Sequence, residues 1–402
     1  MGEQVCRDDA VTVDIDPFSM ESLSDPIGTD TAIREAGEVV RLAAYGVWFT
    51  GRYDVAEQVF RDYETFESSA GTGMWNTKLA ENWRKPSVIL ENDPPAHTKY
   101  RRVMASILSQ RVVRRLTEGF QAKADDLVDR VLSGGDEIDA ATQLAEAYPL
   151  EVLPDAVGFV PEGREHLLPY SNINFQAMGP RNELYDRAVA EGQGAAEFVN
   201  WQMRREALVP GGLGHTIYGY ADEGEISEDD AAMLVRTFLS AGIDTTVFGL
   251  TQTLRALSVD PASWARLRED PNLARTAFEE GLRWSAPSPY IGRTTAKDTV
   301  LAGVEIPAGQ KVIMALGAAN RDPRRWTDPD VYDLDRDTAG HLAFGTGIHG
   351  CVGQMMARME ATCLLSALAR KVDTITPAGE PELFYSNWLR GYAKLPLKVV
   401  PR

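Results

Sequence analysis

The chain has 402 residues, 44% of them hydrophobic and 25% charged, which is the make-up of an ordinary globular protein with ample material for a core. Its net charge of -18 argues against nucleic acid as a partner, because a polyanion needs a basic face. No apolar run reaches the about 18 residues of a membrane span, and Met1 to Asp16 is acidic rather than basic-then-apolar, so neither a span nor a signal peptide is expected and the protein reads as cytoplasmic.

In chain order, Val39 to Thr50 reads as a short hairpin and Tyr53 to Asp62 as a helix after it. From Pro94 onward the apolar period is helical over residues 97–132, 182–206, 228–258, 262–285 and 354–371. Short strands return over Thr299 to Ile306, Val312 to Met314 and Lys394 to Val399. No linker, repeat or low-complexity stretch marks a boundary, so the expectation is one mainly α domain over residues 1–402 with small β-sheets. The three cysteines supply no disulfide framework, since Cys351 and Cys363 would stand about 18 Å apart along a helix. The Met-Gly start has Cys6 where myristoylation wants Ser or Thr.

Segment 228–258 opens on a capping box, Ser227 with Asp230, and stops at Asp260-Pro261, giving about 31 residues and about 46 Å. Its middle, Ala241-Gly242-Ile243-Asp244-Thr245-Thr246, is poorly suited to a helix and costs roughly 2 to 3 kcal/mol against alanine. Tertiary packing is one way to offset that cost; a functional opening of the helix is the other. Gly242 lets a flat ligand approach the backbone, Thr245 can bond a carbonyl one turn back, and Asp244 offers a titratable proton. Further on, Glu280 and Arg283 lie one turn apart, a spacing that alone describes any surface pair.

The most informative run is Phe344-Gly-Thr-Gly-Ile-His-Gly-Cys351-Val-Gly353. Glycines let a loop wrap tightly around a sulfur and aim its N–H groups at it. The helix from Gln354 to Lys371 begins beside the cysteine, so its dipole and free N–H groups are expected to lower the thiol pKa. Gly345-x-Gly347-x-x-Gly350 also spells a dinucleotide fingerprint with Asp373 downstream, but too little chain follows for further βαβ units. A zinc site at His349 and Cys351 fails because no second ligand pair stands at metal spacing.

This run resembles the proximal haem loop of the cytochrome P-450 family, the haem-thiolate monooxygenases, at Phe344, Gly347, His349, Cys351 and Gly353. The resemblance extends over essentially the whole chain. It implies haem b, with Cys351 as the axial iron ligand and Phe344, Gly345 and Gly353 around it. It implies Ala241 and Gly242 against the cofactor, Asp244 and Thr245 as the acid–alcohol pair that activates oxygen, and His97, Arg101, Arg293 and His349 at the propionates. It also implies a buried charge network of Glu280, Arg283 and Arg336 behind the haem.

A narrower likeness is to the bacterial enzymes that oxidise para-substituted benzoic acids. It is carried by Trp83-Arg84-Lys-Pro-Ser87-Val-Ile-Leu90, by Phe175-Gln-Ala-Met178-Gly-Pro-Arg-Asn-Glu-Leu184 and by Arg236-Thr237-Phe-Leu-Ser240. It implies that Arg84, Ser87, Arg236 and Thr237 hold a carboxylate, that Phe175 and Leu90 sandwich the ring, and that Met178, Ser240, Ser288 and Ile291 complete the wall. Met178 and Ile291 replace phenylalanines of that branch, and Thr237 replaces a serine. A carboxylate leaving water needs such charge-assisted bonds. The leading reaction is O-demethylation of 4-methoxybenzoate; neutral methoxyphenols and terpenoid or polyketide alcohols are the rival substrates, and a haem-thiolate gas sensor the rival class. The chain carries no flavin or iron-sulfur module, so O2 chemistry here implies a separate ferredoxin and its NAD(P)H reductase. Arg111, Arg114, Arg115, Arg324, Arg325 and Arg358 are expected to form a basic patch for that ferredoxin.

Overall fold

Two buried helices, Glu228–Ala241 and Asp244–Val259, run end to end through the centre of a computed structural model that describes residues 11–79 and 84–402. Cys6 and Trp83, both used above, lie outside the described residues. The Ser227–Asp230 capping box forms as expected, and Asp260 ends the second helix and caps the next through Ala262 and Ser263 N–H. The expected single helix is interrupted at Gly242 and Ile243. Together the two halves make the one described segment long and apolar enough to cross a membrane, Glu228–Val259. They are instead mostly buried in the protein core, with Val247, Leu250, Leu254 and Leu257 packed among Phe278, Leu282, Leu364 and Leu368.

Other long helices also divide. The expected 97–132 is Ala96–Ile107 followed by Gln110–Ser133, because Ser109 takes an extended backbone as the N-cap of the second. Segment 182–206 becomes Glu183–Glu191, Ala195–Gln202 and a turn at Arg205–Ala207, broken by Gly192 and by Gly194 at φ +80. Segment 262–285 becomes Pro261–Glu269 and Ala274–Trp284, with Asp270 capping a short turn between them. Gln354–Lys371 stands as read. Helices at Pro26–Ala36, Ala147–Val157, Leu167–Gln176 and Leu213–Asp222 escaped the apolar-period reading.

A six-stranded sheet takes the order Val11–Val13, Val40–Leu42, Trp48–Thr50, Lys311–Ala315, Tyr290–Thr295, Phe66–Glu67. Phe49 pairs with Ile313 in parallel, and Ile291 and Arg293 pair with Met314 and Val312 in antiparallel register. Since side chains alternate along a strand, Ile291 and Arg293 share one face. A three-stranded sheet joins Val372–Pro377, Pro396–Pro401 and Glu137–Asp139.

Behind these elements lies the charge network. Glu280 and Arg283 are wholly buried; Arg283 Nε and Nη2 each donate to the carboxylate at 2.7 Å, and its remaining N–H groups reach the carbonyls of Asn320, Pro329 and Val331. Arg336 Nε adds a bond of 3.1 Å to the same carboxylate. Asn320 in turn accepts from Leu342 N–H at 2.6 Å, at the start of the cysteine loop. Replacing Glu280 with Ala strands Arg283 in the core, so the variant should lose about 3 to 5 kcal/mol in urea unfolding. A loss below about 1 kcal/mol, the range of surface pairs, would remove this network from the account of stability.

Candidate active site

The cysteine loop is shaped by two short turns, Leu342–Phe344 and Gly347–His349. Cys351 N–H closes it by donating to Phe344 O at 2.7 Å. Gly347 adopts φ +68, and a Cβ there would stand 2.7 Å from the Phe60 carbonyl, so only glycine lets the loop lie against the Tyr53–Arg61 helix. The Cys351 thiol is enclosed. Burial pushes its pKa up, and this outweighs the N–H bonds from Gly353 and Gln354 and the charges of Arg101 and Arg358, which pull it down. The expected fall in thiol pKa is therefore corrected: the N–H groups are aimed at the sulfur, but desolvation wins in the protein alone. Arg358 lies 4.6 Å over the Phe344 ring and is bonded to Glu279 and Gln354.

Around the loop stand basic groups with few acidic partners. Arg101 donates to Gly350 O, and Arg293 Nη1 donates to Gly292 O at 2.8 Å. The Arg293 guanidinium is buried against Phe60, and burial lowers its pKa to about 10. His349 Nε2 faces Asp93 at 3.4 Å. His97 packs 4.3 Å from the His349 ring, and its Nε2 has no hydrogen-bond partner. Burial, aided by the His349 and Arg101 charges, pushes His97 down to about 4. Arg101, Arg293 and His349 line the central cavity, and His97 packs against the His349 ring at its edge.

The interrupted helix forms the opposite wall. Ala241, Gly242, Thr245 and Thr246 line the cavity. Thr245 Oγ1 donates to Ala241 O at 2.9 Å, one turn back. A Cβ on Gly242 would stand 2.9 Å from Leu153 Cδ2 and 2.8 Å from the Phe238 carbonyl, so helix packing itself disfavours a larger residue at this glycine. Asp244 does not line the cavity. Its carboxyl is buried with Oδ1 unpartnered, and burial, with the Glu146 charge adding and a bond from Ser171 opposing, pushes its pKa up to about 8.

The same cavity gathers every residue assigned above to a substrate. Leu90, Phe175, Met178 and Ile291 supply apolar wall, and Ser240 and Ser288 line it with their hydroxyls bonded to the Thr237 and Tyr290 carbonyls. At one end, Arg84 and Arg236 also border an outer basin lined by Lys85, Tyr170 and Arg204. Both guanidiniums donate to Lys85 O, at 3.0 and 2.8 Å. Arg84 is further bonded to Asn174 and to Glu91, the latter at 2.8 Å. Arg236 is buried and, among the described residues, has no carboxylate within ion-pair distance. Ser87 Oγ accepts from Leu90 N–H at 3.2 Å, which leaves its hydroxyl proton free to donate. Thr237 lines the cavity with its hydroxyl donating to Met233 O at 3.3 Å, one turn back.

Sequence reasoning missed Glu91 and Asn174, because their roles depend on where Arg84 folds. It also missed Glu360 on the Gln354–Lys371 helix, a fully buried cavity-lining carboxyl that desolvation holds well above its ordinary pKa. The expected basic patch is thinner than read: Arg324 is paired with Glu35 and Asp322, and Arg358 with Glu279.

Comparison with known proteins agrees with this geometry. The cytochrome P450 family model matches residues 204–399. The chain is 48% identical over 387 residues to cytochrome P450 CYP199A2 of Rhodopseudomonas palustris, covering 96% of this chain and 94% of that one. The chain belongs to the cytochrome P450 family. It is also 31% identical to cytochrome P450 107B1 of Saccharopolyspora erythraea, over 87% of this chain and 89% of that one. The structure of cytochrome P450 CYP109Q5 from Chondromyces apiculatus superposes with a TM-score of 0.82 at 29% identity, covering 96% of this chain and 98% of that one.

P450 proteins bind haem b, and the residues here fit it. An enclosed sulfur with N–H groups aimed at it suits a metal ion, which takes the place of the proton that burial otherwise retains. Buried Arg293 and the orphan His97 Nε2 suit the acidic groups of a porphyrin.

Loaded with haem, this P450 should give a reduced carbonyl complex with the strongly red-shifted band of thiolate ligation, and Cys351→His should abolish it; an unchanged spectrum in the variant rules out Cys351 as ligand. For Asp244, the folded chain keeps a proton that the unfolded chain releases from pH 3.8 upward. The stability it contributes is full below that pH and is lost as pH rises through about 8. The melting temperature of Asp244→Asn should therefore gain on that of wild type across this window and level off above it, whereas a constant offset would show that Asp244 ionises normally.

Proposed function

We propose that this P450 monooxygenase oxidises small para-substituted aromatic carboxylic acids, with O-demethylation of 4-methoxybenzoate as its leading reaction. The observation that carries this reading is Arg236, a buried cation that among the described residues has no carboxylate within ion-pair distance, at the end of an apolar cavity that also holds Cys351. A buried charge without a counter-ion is costly, and an anionic substrate offsets that cost. Arg236 binds the carboxylate, the Ser87 hydroxyl donates to it, and Leu90, Phe175, Met178 and Ile291 flank the ring and exclude water.

The bound haem supplies activation of O2. Asp244, neutral near pH 7, holds a proton on its carboxyl, and its chain neighbour Thr245 lines the cavity, where its hydroxyl would relay that proton once turned from Ala241 O. Oxygen inserted into the methyl C–H bond leaves a hemiacetal, which collapses to 4-hydroxybenzoate and formaldehyde. The two electrons come from a separate ferredoxin and its NAD(P)H reductase. The exposed Arg111, Arg114 and Arg115, near the start of the Gln110–Ser133 helix, suit an acidic ferredoxin. A cytoplasmic setting fits such partners.

Losing the charged contacts should cost roughly 1.5 to 3 kcal/mol, or about ten- to a hundredfold in affinity. Spin-state titration should thus show 4-methoxybenzoate binding far more tightly than its methyl ester or 4-methoxytoluene, and turnover should release formaldehyde with 4-hydroxybenzoate in equal amounts. Equal shifts for acid and ester would move the assignment to neutral methoxyphenols.

A further inference from the structure

Three charges meet at the wall between the cavity and the outer basin. Arg84 and Arg236 share the Lys85 carbonyl, and like charges so placed repel one another. Glu91 is buried beside them, with Oε2 accepting from Arg84 Nη1 at 2.8 Å and from Ser87 N–H at 2.7 Å. Its position is fixed by backbone as well as by charge. Tyr170 borders the same wall without a charge of its own, and Lys85 lies exposed on the basin side. Lys311 is the other cation within Coulomb reach of Glu91, but its ammonium donates to the Ala70 and Gly71 carbonyls and does not line the cavity.

Arg84 is thus already paired by the protein, and among the described residues the wall carries two guanidiniums against one carboxylate, leaving a net positive charge at Arg236, which meets Glu91 only through space. We propose that Glu91 is a specificity-determining residue: an internal counter-ion that occupies Arg84 and limits the pocket to a single substrate carboxylate, held by Arg236. This rests on the aromatic-acid reading above and departs from the expectation that Arg84 itself grips the substrate. Arg84 serves to hold Glu91 and Asn174 in place, and the charge count of the wall, rather than the number of arginines, sets the preference for a monoanion.

Glutamine at position 91 keeps both acceptor bonds and removes the charge. Glu91→Gln should raise the affinity for 4-methoxybenzoate about tenfold, while Arg84→Gln, which leaves Glu91 to turn on Arg236, should lower it about tenfold. The double variant restores the count and should return to within about threefold of wild type. Methyl 4-methoxybenzoate should bind all four proteins alike. Calorimetric titration reads these affinities, and the acid-induced rise in melting temperature should follow the same order. An acid affinity that is unchanged or lower in Glu91→Gln overturns the proposal. So does a double variant as weak as Arg84→Gln alone, since Arg84 would then touch the carboxylate directly; this pair decides even where Glu91→Gln does not fold. If wild type binds acid and ester equally, the aromatic-acid reading itself falls and takes the inference with it. A wild type that prefers the acid, with variants that do not follow the charge count, sinks the inference alone.

Discussion

Buried positive charge without a side-chain counter-ion is the constraint around which the site is arranged. The chain as a whole is strongly acidic, yet among the described residues Arg293 and Arg236 stand buried at its cavity with no carboxylate in ion-pair distance, Arg101 lies half-buried beside them, and burial pushes the Glu360 carboxyl there well above its ordinary pKa. Fully desolvated cations are tolerated in a fold only when something repays them. On the proposed reading the acidic groups of haem would do so at the sulfur side and a substrate anion at Arg236, while Arg84 is already paired with Glu91. The two ends of one cavity apply the same electrostatics to two ligands. On that reading specificity and cofactor retention share a physical origin, and both should weaken if carboxylates were introduced along the wall.

Geometry of this kind requires a stiff frame. The Glu280–Arg283 pair uses all of its hydrogen-bonding capacity and ties the Ala274–Trp284 helix to the 320–336 segment, from which Asn320 reaches the cysteine loop. Against that rigid side, the helix through Gly242 is deliberately imperfect. Thr245 and Thr246 turn their hydroxyls onto the carbonyls of Ala241 and Gly242, so backbone groups that a regular helix would hide stay near the cavity. Asp244 is held neutral just behind.

How much of this was legible in the sequence depended on how local each signal is. The glycines around Cys351 meet steric demands inside ten residues, and the loop could be read directly. Gln354–Lys371 and the Ser227 cap were equally plain. Helix ends at Ser109 and at Gly192 to Gly194 were visible as residue types but were overridden by an apolar period that continues across them. Burial of Asp244 reverses its charge state, and burial of Cys351 reverses the expected direction of its pKa; neither can be inferred without knowing what packs around them. Glu91 shows the limit most clearly, since nothing in its neighbourhood of the chain announces that it will meet Arg84 and Arg236.

The pairing of Trp48–Thr50 with Lys311–Ala315 has a bearing on biogenesis. These strands are parallel and far apart in sequence, so the contact that closes the six-stranded sheet carries a high loop-closure cost and forms late. During synthesis on the ribosome, the Trp48–Thr50 edge of the first three strands has no partner on its far side until some three-quarters of the polypeptide has emerged, and the cysteine loop follows later still. Nascent chains thus expose a strand edge for most of their translation. The cysteine loop therefore cannot settle into its folded place until most of the chain has been made.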